Sequence, residues 1–258
     1  RLEVSFFTLE IIVITGASSG IGADAALLYA KQSAKVVLVG RNEESLNKVA
    51  KQCESTKGIK PLVIKADLSI DEEVKNIVTK TVETFGQINV LVNNAGVGVR
   101  GSILDGVAKY DSAMATNVRA AYLLTSLATP HLIKTKGNIV NVSSVAAFRP
   151  IKDVDFLPYC MSKAALDQFT KCLALELARY GIRVNSVNPG GTKTPFAETA
   201  GFTKEQVEVL FKERDKFLPL GKMAESEEVA DLILYLSSNR ARSITGSIYV
   251  IDNGEMLV

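Results

Sequence analysis

The sequence predicts an α/β fold: one doubly wound parallel sheet of about seven strands with helices on both faces, a single domain over residues 1–258. Three observations lead there. Short Val/Ile-rich runs recur along the chain and lack polar alternation, as strands buried on both faces of a parallel sheet do. Helix-length segments separate them, which is the βαβ rhythm. No repeat, linker or low-complexity tract interrupts the rhythm, and 258 residues at 47% hydrophobic suffice for one large core.

Taken in order, Ile11–Thr15 is an unbroken β-branched run, followed by a helical segment over Gly20–Ser33. Lys35–Val39 is the second strand, and Asn42 caps the helix after it. Pro61–Lys65 is the third, and Ser69 with Glu72 spells the S-x-x-E capping box of the next helix. Val90–Asn93 precedes one long helical pattern over Lys109–Lys134. Asn138–Val142, a helix over Tyr159–Tyr180, Arg183–Val187, a helix over Glu225–Ser238 and Ile248–Ile251 complete the series. In such a sheet the ligand crevice lies beyond the carboxyl ends of the strands, where strand order reverses.

Composition removes several function classes. Thirty basic and 28 acidic residues give a net charge of +2, which argues for neither nucleic acid nor a membrane surface. No apolar run approaches the roughly 20 residues of a membrane span, and Arg1–Glu10 lacks the basic and apolar regions of a secretory leader. The single histidine, His131, excludes a multi-histidine zinc site and reads as a surface residue at a helix end. Cys53, Cys160 and Cys172 are odd in number without C-x-x-C spacing, so a reducing, cytoplasmic compartment is expected and no metal is.

The first strand runs into Gly16-Ala17-Ser18-Ser19-Gly20-Ile21-Gly22. Glycines there let the backbone turn tightly against a diphosphate, with the following helix offering free N–H groups. The second strand ends Gly40-Arg41-Asn42. The carboxylate that receives the ribose hydroxyls of NAD is missing, and Arg41 suits a 2′-phosphate, so NADP(H) is expected ahead of NAD. Asp67-Leu68 ends the third strand; Asp67 either accepts from an adenine amino group or caps the next helix. Asn94, Ala95 and Gly96 after the fourth are small enough for a ribose to approach. Tyr159 and Lys163, four apart, share a helix face, where an ammonium would lower the phenol below about 10 and make it a proton donor or acceptor. Ser144 could offer its hydroxyl to a reacting carbonyl oxygen, although Ser143 beside it points to the other side of an extended chain.

From about Ile11 to Gly254 the chain resembles the short-chain dehydrogenases/reductases, a Rossmann-type family. Thr15-Gly16-x-x-x-Gly20-x-Gly22, Asn93-Asn94-Ala95-Gly96, Asn117, Ser144, Tyr159-x-x-x-Lys163 and Asn188-Pro189-Gly190 carry the resemblance in order. It implies a catalytic tetrad of Asn117, Ser144, Tyr159 and Lys163, with Asn117 interrupting its helix to hold a water leading to the lysine. It implies that Lys163 also binds the nicotinamide ribose, and that Pro189, Gly190, Thr192 and Thr194 hold the carboxamide. It further implies a homotetramer or homodimer through the helices at Lys109–Lys134 and Tyr159–Tyr180. Departures are the fifteen positions from Ser144 to Tyr159, about two long, with the excess in Lys152–Phe156 beside the substrate; Asn89 in place of Asp; and Asp252-Asn253-Gly254 in place of Asp-Gly-Gly.

Residues 192–223 are the expected substrate lid, with Val207, Leu210 and Phe211 at the spacing of a small amphipathic helix and Phe148, Phe156, Phe196, Phe202 and Phe217 available as apolar wall. The function expected is interconversion of a secondary alcohol and a ketone, lipophilic or steroid-like, by hydride transfer with a tyrosine acid/base. A 3-oxoacyl reductase and a non-catalytic NADP(H)-binding regulatory or assembly protein are the alternatives.

Overall fold

The computed structural model describes residues 7–151 and 155–258. Most of the excess stretch, Lys152 to Val154, therefore lies outside the described residues. Nine strands and nine α-helices alternate among those described. They are β1 (Ile11–Thr15), α1 (Gly20–Lys31), β2 (Lys35–Gly40), α2 (Glu43–Lys57), β3 (Leu62–Lys65), α3 (Asp71–Phe85) and β4 (Val90–Asn93). Then come α4 (Val107–Met114), α5 (Ala120–Thr135), β5 (Asn138–Val142), α6 (Leu157–Leu177), β6 (Arg183–Pro189), β7 (Thr192–Lys193) and α7 (Phe196–Thr199). The chain ends with α8 (Lys204–Asp215), β8 (Ala224–Glu225), α9 (Ser226–Ser237) and β9 (Ile248–Ile251).

Seven strands form one parallel sheet in the order β3-β2-β1-β4-β5-β6-β9. The sheet grows one way from β1 to β3 and the other way from β4 to β9. Order therefore reverses between β1 and β4, paired Val13 to Leu91, and a crevice opens beyond Thr15 and Asn93. Alternate residues of each strand enter different cores. Ile12 and Ile14 pack with Ala25, Ala26 and Tyr29 of α1 and Ile233 of α9. Ile11 and Val13 pack with Val74 and Ile77 of α3 and Leu124 and Leu132 of α5. Both faces being dry explains the absence of polar alternation.

One local expectation fails. The Ser69/Glu72 capping box does not form: α3 begins at Asp71 behind Ile70, with no side-chain cap. Asp67, an ionised acceptor two residues earlier, takes both the N–H (2.9 Å) and the hydroxyl (2.7 Å) of Ser69. Glu72 pairs with Lys75 instead, and Glu73 accepts from the Asp67 N–H at 2.6 Å. The long helical pattern over Lys109–Lys134 carries the interruption the family resemblance implies at Asn117, a π turn at Ala115–Arg119. Asn117 at its centre accepts from the Val97 N–H (2.8 Å) and donates to the Val97 carbonyl (3.1 Å), and one extra residue in the turn lets it reach that loop.

The other departures are accommodated locally. Asn89 accepts from the Ile11 N–H at 2.9 Å, joining β4 to β1. Asn253 adopts φ 53°, a left-handed conformation that asparagine tolerates. The lateral pair β7–β8 joins Thr192 to Ala224 and Lys193 to Glu225, so residues 194–223 leave and return at one place.

Candidate active site

One cavity of about 400 Å³ occupies the crevice. Its floor is the β1–α1 turn. Gly16 has φ +67°, and a Cβ there would lie 2.8 Å from Asn94 Nδ2. A Cβ on Gly22 would lie 2.4 Å from the Gly16 carbonyl oxygen, so α1 packs against the turn only with glycine there. Ser19 precedes α1 without a side-chain cap, which leaves the first-turn N–H groups to the cavity side. Thr15 accepts the N–H groups of Asn94 and Ala95, while Asn94 donates to the Thr15 carbonyl at 2.9 Å. A backbone cradle, a helix N-terminus and small residues beside it fit the diphosphate and ribose of a dinucleotide.

Most sequence-derived positions line this cavity. Gly16, Ser18, Ser19, Gly20, Ile21, Arg41, Asp67, Leu68, Asn94, Ala95 and Gly96 lie along one part, and Ser144, Tyr159, Lys163, Pro189, Gly190, Thr192 and Thr194 along the rest. Gly22, Asn42 and Asn117 are not on its surface. Gly22 supports the turn, Asn42 spends its side chain on the N–H of Ser45 at 3.0 Å, and Asn117 stands behind Gly96. Asp67 lines the cavity and does not cap α3; the two bonds from Ser69 hold its carboxyl below the usual range. Gly16–Gly20 also spells G-x-S-x-G, the motif of a nucleophile elbow, but His131 is half-buried on α5 and is not among the lining residues that would serve Ser18.

Tyr159 enters from the first turn of α6. It is 6% exposed, beneath Phe156 and Phe196, with ring centroids 5.6 and 5.3 Å away. The Ser144 hydroxyl accepts the Ala146 N–H at 3.1 Å, donates to the Pro189 carbonyl at 3.4 Å and favours the ionised form of the Tyr159 phenol, while Ser143 turns inward and donates to the Lys163 carbonyl at 3.1 Å. That separates the two serines. Lys163 is 3% exposed; its ammonium donates to the Val142 carbonyl at 2.9 Å and stands 5.7 Å from the Tyr159 ring centroid. A Cβ on Gly96 would make ordinary contacts, 3.4 Å, with both Lys163 Nζ and Asn117 Oδ1, so both polar atoms lie beside this glycine. Behind them Asp167 accepts from Asn188 at 2.7 Å and from Ser186 at 3.3 Å. Asn188 also donates to the Ser144 carbonyl at 3.0 Å, fixing the β5 end.

Electrostatics correct one expectation. The lysine does not pull the phenol below its ordinary value. Burial pushes Tyr159 up to about 12, against the Ser144 hydrogen bond and the charge of Arg214. Burial likewise brings Lys163 down to about 8, partly opposed by Asp167. Desolvation outweighs charge because both groups are buried, the phenol beneath Phe156 and Phe196. At neutral pH the phenol is therefore a held proton.

Sequence reasoning missed Thr199 and Arg214. Thr199 accepts the Gly98 N–H at 2.9 Å, tying α7 to the loop after β4. Arg214 lines the cavity at the end of α8. The signal for it was present: Val207, Leu210, Phe211 and Arg214 are spaced i, i+3, i+4, i+7, one stripe with a cation at its end.

Known proteins agree with this construction. Residues 16–255 match the family model described as enoyl-(acyl carrier protein) reductase. A protein named 3-oxoacyl-[acyl-carrier-protein] reductase from Thermotoga maritima is 35% identical over 95% of this chain and 97% of its own. L-xylulose reductase from Caenorhabditis elegans is 37% identical over 96% of each chain. The crystal structure of L-sorbose reductase from Gluconobacter frateurii, complexed with NADPH and L-sorbose, superposes with a TM-score of 0.90 at 31% identity over 99% of both chains. The chain belongs to the short-chain dehydrogenase/reductase family, with its single-domain Rossmann-type fold. It is an oxidoreductase of CH–OH groups, in a family that binds nicotinamide cofactors.

Proposed function

We propose that this enzyme interconverts a secondary alcohol and a ketone with NADP(H) as its cofactor. One observation carries the reading: Ser144 and Tyr159, backed by buried Lys163, line one cavity where a glycine-cradled groove meets an apolar chamber. Gly16 and Gly20 with the start of α1 would hold the diphosphate, and Arg41 the 2′-phosphate. Lys163 would hold the nicotinamide ribose, and Pro189, Gly190, Thr192 and Thr194 the carboxamide. The bound cofactor supplies or accepts the hydride. Ser144 donates to the substrate oxygen and stabilises negative charge as it develops there. Tyr159, protonated at neutral pH, gives its proton to that oxygen, and Lys163 favours the resulting phenolate. Asn117 orders the region behind Lys163 through Val97 and Ser162. The absence of a carboxylate at Gly40 supports NADP(H).

Residues 192–223 act as the substrate lid, supported by Phe196, Leu210 and Phe211 in the cavity wall. Exposed Tyr122 and Leu175, 62% and 84% accessible, support self-association through the faces of α5 and α6. No helix among the described residues is long and apolar enough to cross a membrane.

The test is a panel of carbonyl compounds, including 3-oxoacyl thioesters, lipophilic cyclic ketones and small sugars, with NADPH consumption as readout. Reduction of at least one ketone, with label from nicotinamide C4 appearing on its carbonyl carbon, is expected. Cofactor binding without turnover of any member would favour the non-catalytic alternative.

A further inference from the structure

The apolar chamber beside Tyr159 contains a cation with a carboxylate behind it. Phe156, Phe196, Phe202, Leu210 and Phe211 form much of the wall. Four charged side chains occur among the described lining residues: Arg41 and Asp67 at the end of the groove next to β2 and β3, Lys163 in the middle, and Arg214. Lys163 is committed to the Val142 carbonyl. Arg214 is therefore the charged group that the lid contributes.

Its position is fixed by packing. One terminal nitrogen, Nη2, bonds to Glu255 Oε1. The other oxygen of Glu255 accepts the Gly191 N–H at 2.8 Å. A Cβ on Gly191 would lie 2.8 Å from Arg214 Nε, so the guanidinium lies flat against bare backbone. Glu255 is 7% exposed and has a second cation, Arg149, at 3.7 Å. Arg149 also donates to the Val258 oxygen at 2.6 Å, so Glu255 is shared between two guanidiniums and neither fork is fully spent on it. Neighbouring carboxylates are engaged elsewhere: Asp215 accepts from the Met223 N–H, and Asp252 from the N–H groups of Gly254 and Met256. The Arg214 side chain is still 30% exposed, with donors of its planar fork unspent.

We infer that Arg214 is an anion-recognising residue of the substrate chamber, and that the preferred substrate is a ketone carrying a carboxylate remote from the reacting carbonyl. This rests on the reductase reading above and specifies its substrate class. Guanidinium donors left unspent against an apolar wall are poorly satisfied, and a carboxylate whose tail fills the chamber satisfies both wall and donors. Glu255 holds the fork before substrate arrives, so little side-chain freedom is lost on binding. The wall takes the chain, Arg214 takes the acid, and the ketone oxygen meets Ser144 and Tyr159. Arg214 and Tyr159 line the same cavity.

The experiment separates anion binding from turnover. Hexanoate and hexanamide, which cannot be reduced, are titrated by calorimetry into full-length protein loaded with its reduced nicotinamide cofactor. The carboxylate should bind at least tenfold more tightly than the amide. Arg214→Met with Glu255→Gln, which avoids stranding a buried carboxylate, should remove the difference while cofactor affinity stays within threefold. Arg214→Lys should restore part of it. Steady-state kinetics on an oxo acid and its methyl ester should show the same ratio, mainly in KM. Equal binding of hexanoate and hexanamide to the parent, or a preference that survives the double variant, overturns the inference and leaves Arg214 as a strut for Glu255. Loss of cofactor binding in the double variant also overturns it, by assigning Arg214 to the cofactor. Anion preference without reduction of any carbonyl compound would instead overturn the reductase reading and leave the anion site standing.

Discussion

Lys163→Met should stabilise the fold while disabling the enzyme. In the unfolded chain this amine has an ordinary value of 10.5, and in the fold it is brought down to about 8. That depression of roughly two and a half units is worth about 3 kcal/mol at ~1.4 kcal/mol per unit. Below about pH 8 both states are charged, so folding bears the full desolvation cost. The cost fades as pH rises from about 8 towards 10.5, where both states become neutral. Methionine removes the cost and also removes the bond to the Val142 carbonyl, a loss of about 1 kcal/mol that does not depend on pH. The net expectation is a gain of about 2 kcal/mol near pH 7, or ~4–8 °C in Tm for a chain of this size. The advantage should shrink by about 2 kcal/mol by roughly pH 9.5. Urea unfolding of both proteins at the two pH values, at equal protein concentration and without nucleotide, measures it. A variant less stable than the parent near pH 7, or a difference identical at both pH values, would refute the claim that a desolvated ammonium is stored there. Turnover and cofactor affinity should both fall, because the lysine is assigned to the phenolate and to the ribose.

Tyr159→Phe removes one hydroxyl beneath the same aromatic cover, so cofactor affinity should persist while kcat drops ~100-fold or more; turnover within tenfold of the parent excludes Tyr159 as the acid. Oxidation of the alcohol should accelerate as pH climbs towards the elevated phenol value, and Ser144→Ala should push that limb higher, because the serine hydrogen bond now lowers it. NADPH should bind more tightly than NADH by about 2 kcal/mol if one charge-assisted contact dominates, and Arg41→Ala should erase the gap. Gly40→Asp is the complementary variant, since a Cβ there meets only ordinary contacts, the nearest 3.5 Å away at Leu46; it should shift preference towards NADH, and equal affinities in the parent would sink the assignment. Gly22→Ala drives a Cβ to 2.4 Å from the Gly16 carbonyl oxygen and should weaken cofactor binding at least tenfold, as read by NADPH fluorescence.

The strands were legible because burial on both faces leaves an unmixed apolar signature, and Ile11–Thr15, Val90–Asn93, Asn138–Val142 and Ile248–Ile251 match the structure residue for residue. The Ser69 cap was misread because local spelling does not register orientation: Ser69 is turned to donate its N–H and hydroxyl to Asp67, and the helix begins a residue later, at Asp71, with Ile70 before it. The π turn at Asn117 was invisible to periodicity, since one extra residue hardly alters a helical pattern; only the family resemblance pointed to an interruption there. The pairing of Tyr159 with Lys163 could be read from spacing. Their displaced titration could not, because Phe196, which helps Phe156 enclose the phenol, comes from a separate segment, α7. Arg214 was spelled in the α8 stripe, but its significance required Glu255 and Gly191 to be placed beside it.

The lateral pair β7–β8 makes the substrate end interchangeable. Thr192–Lys193 and Ala224–Glu225 hold the two ends of the intervening segment together whatever lies between them. The entropy of closing such a loop grows only with the logarithm of its length, about 0.6 kcal/mol per doubling. Residues 194–223 can therefore be lengthened, shortened or transplanted while the sheet, the glycine turn and the Tyr159–Lys163 helix keep their places. A graft taken from clamp to clamp carries α7, α8 and Arg214, and must find Glu255, Gly191 and Gly98 on the scaffold to hold them. Selectivity can thus evolve by exchange of a single loop on a scaffold whose chemistry stays the same.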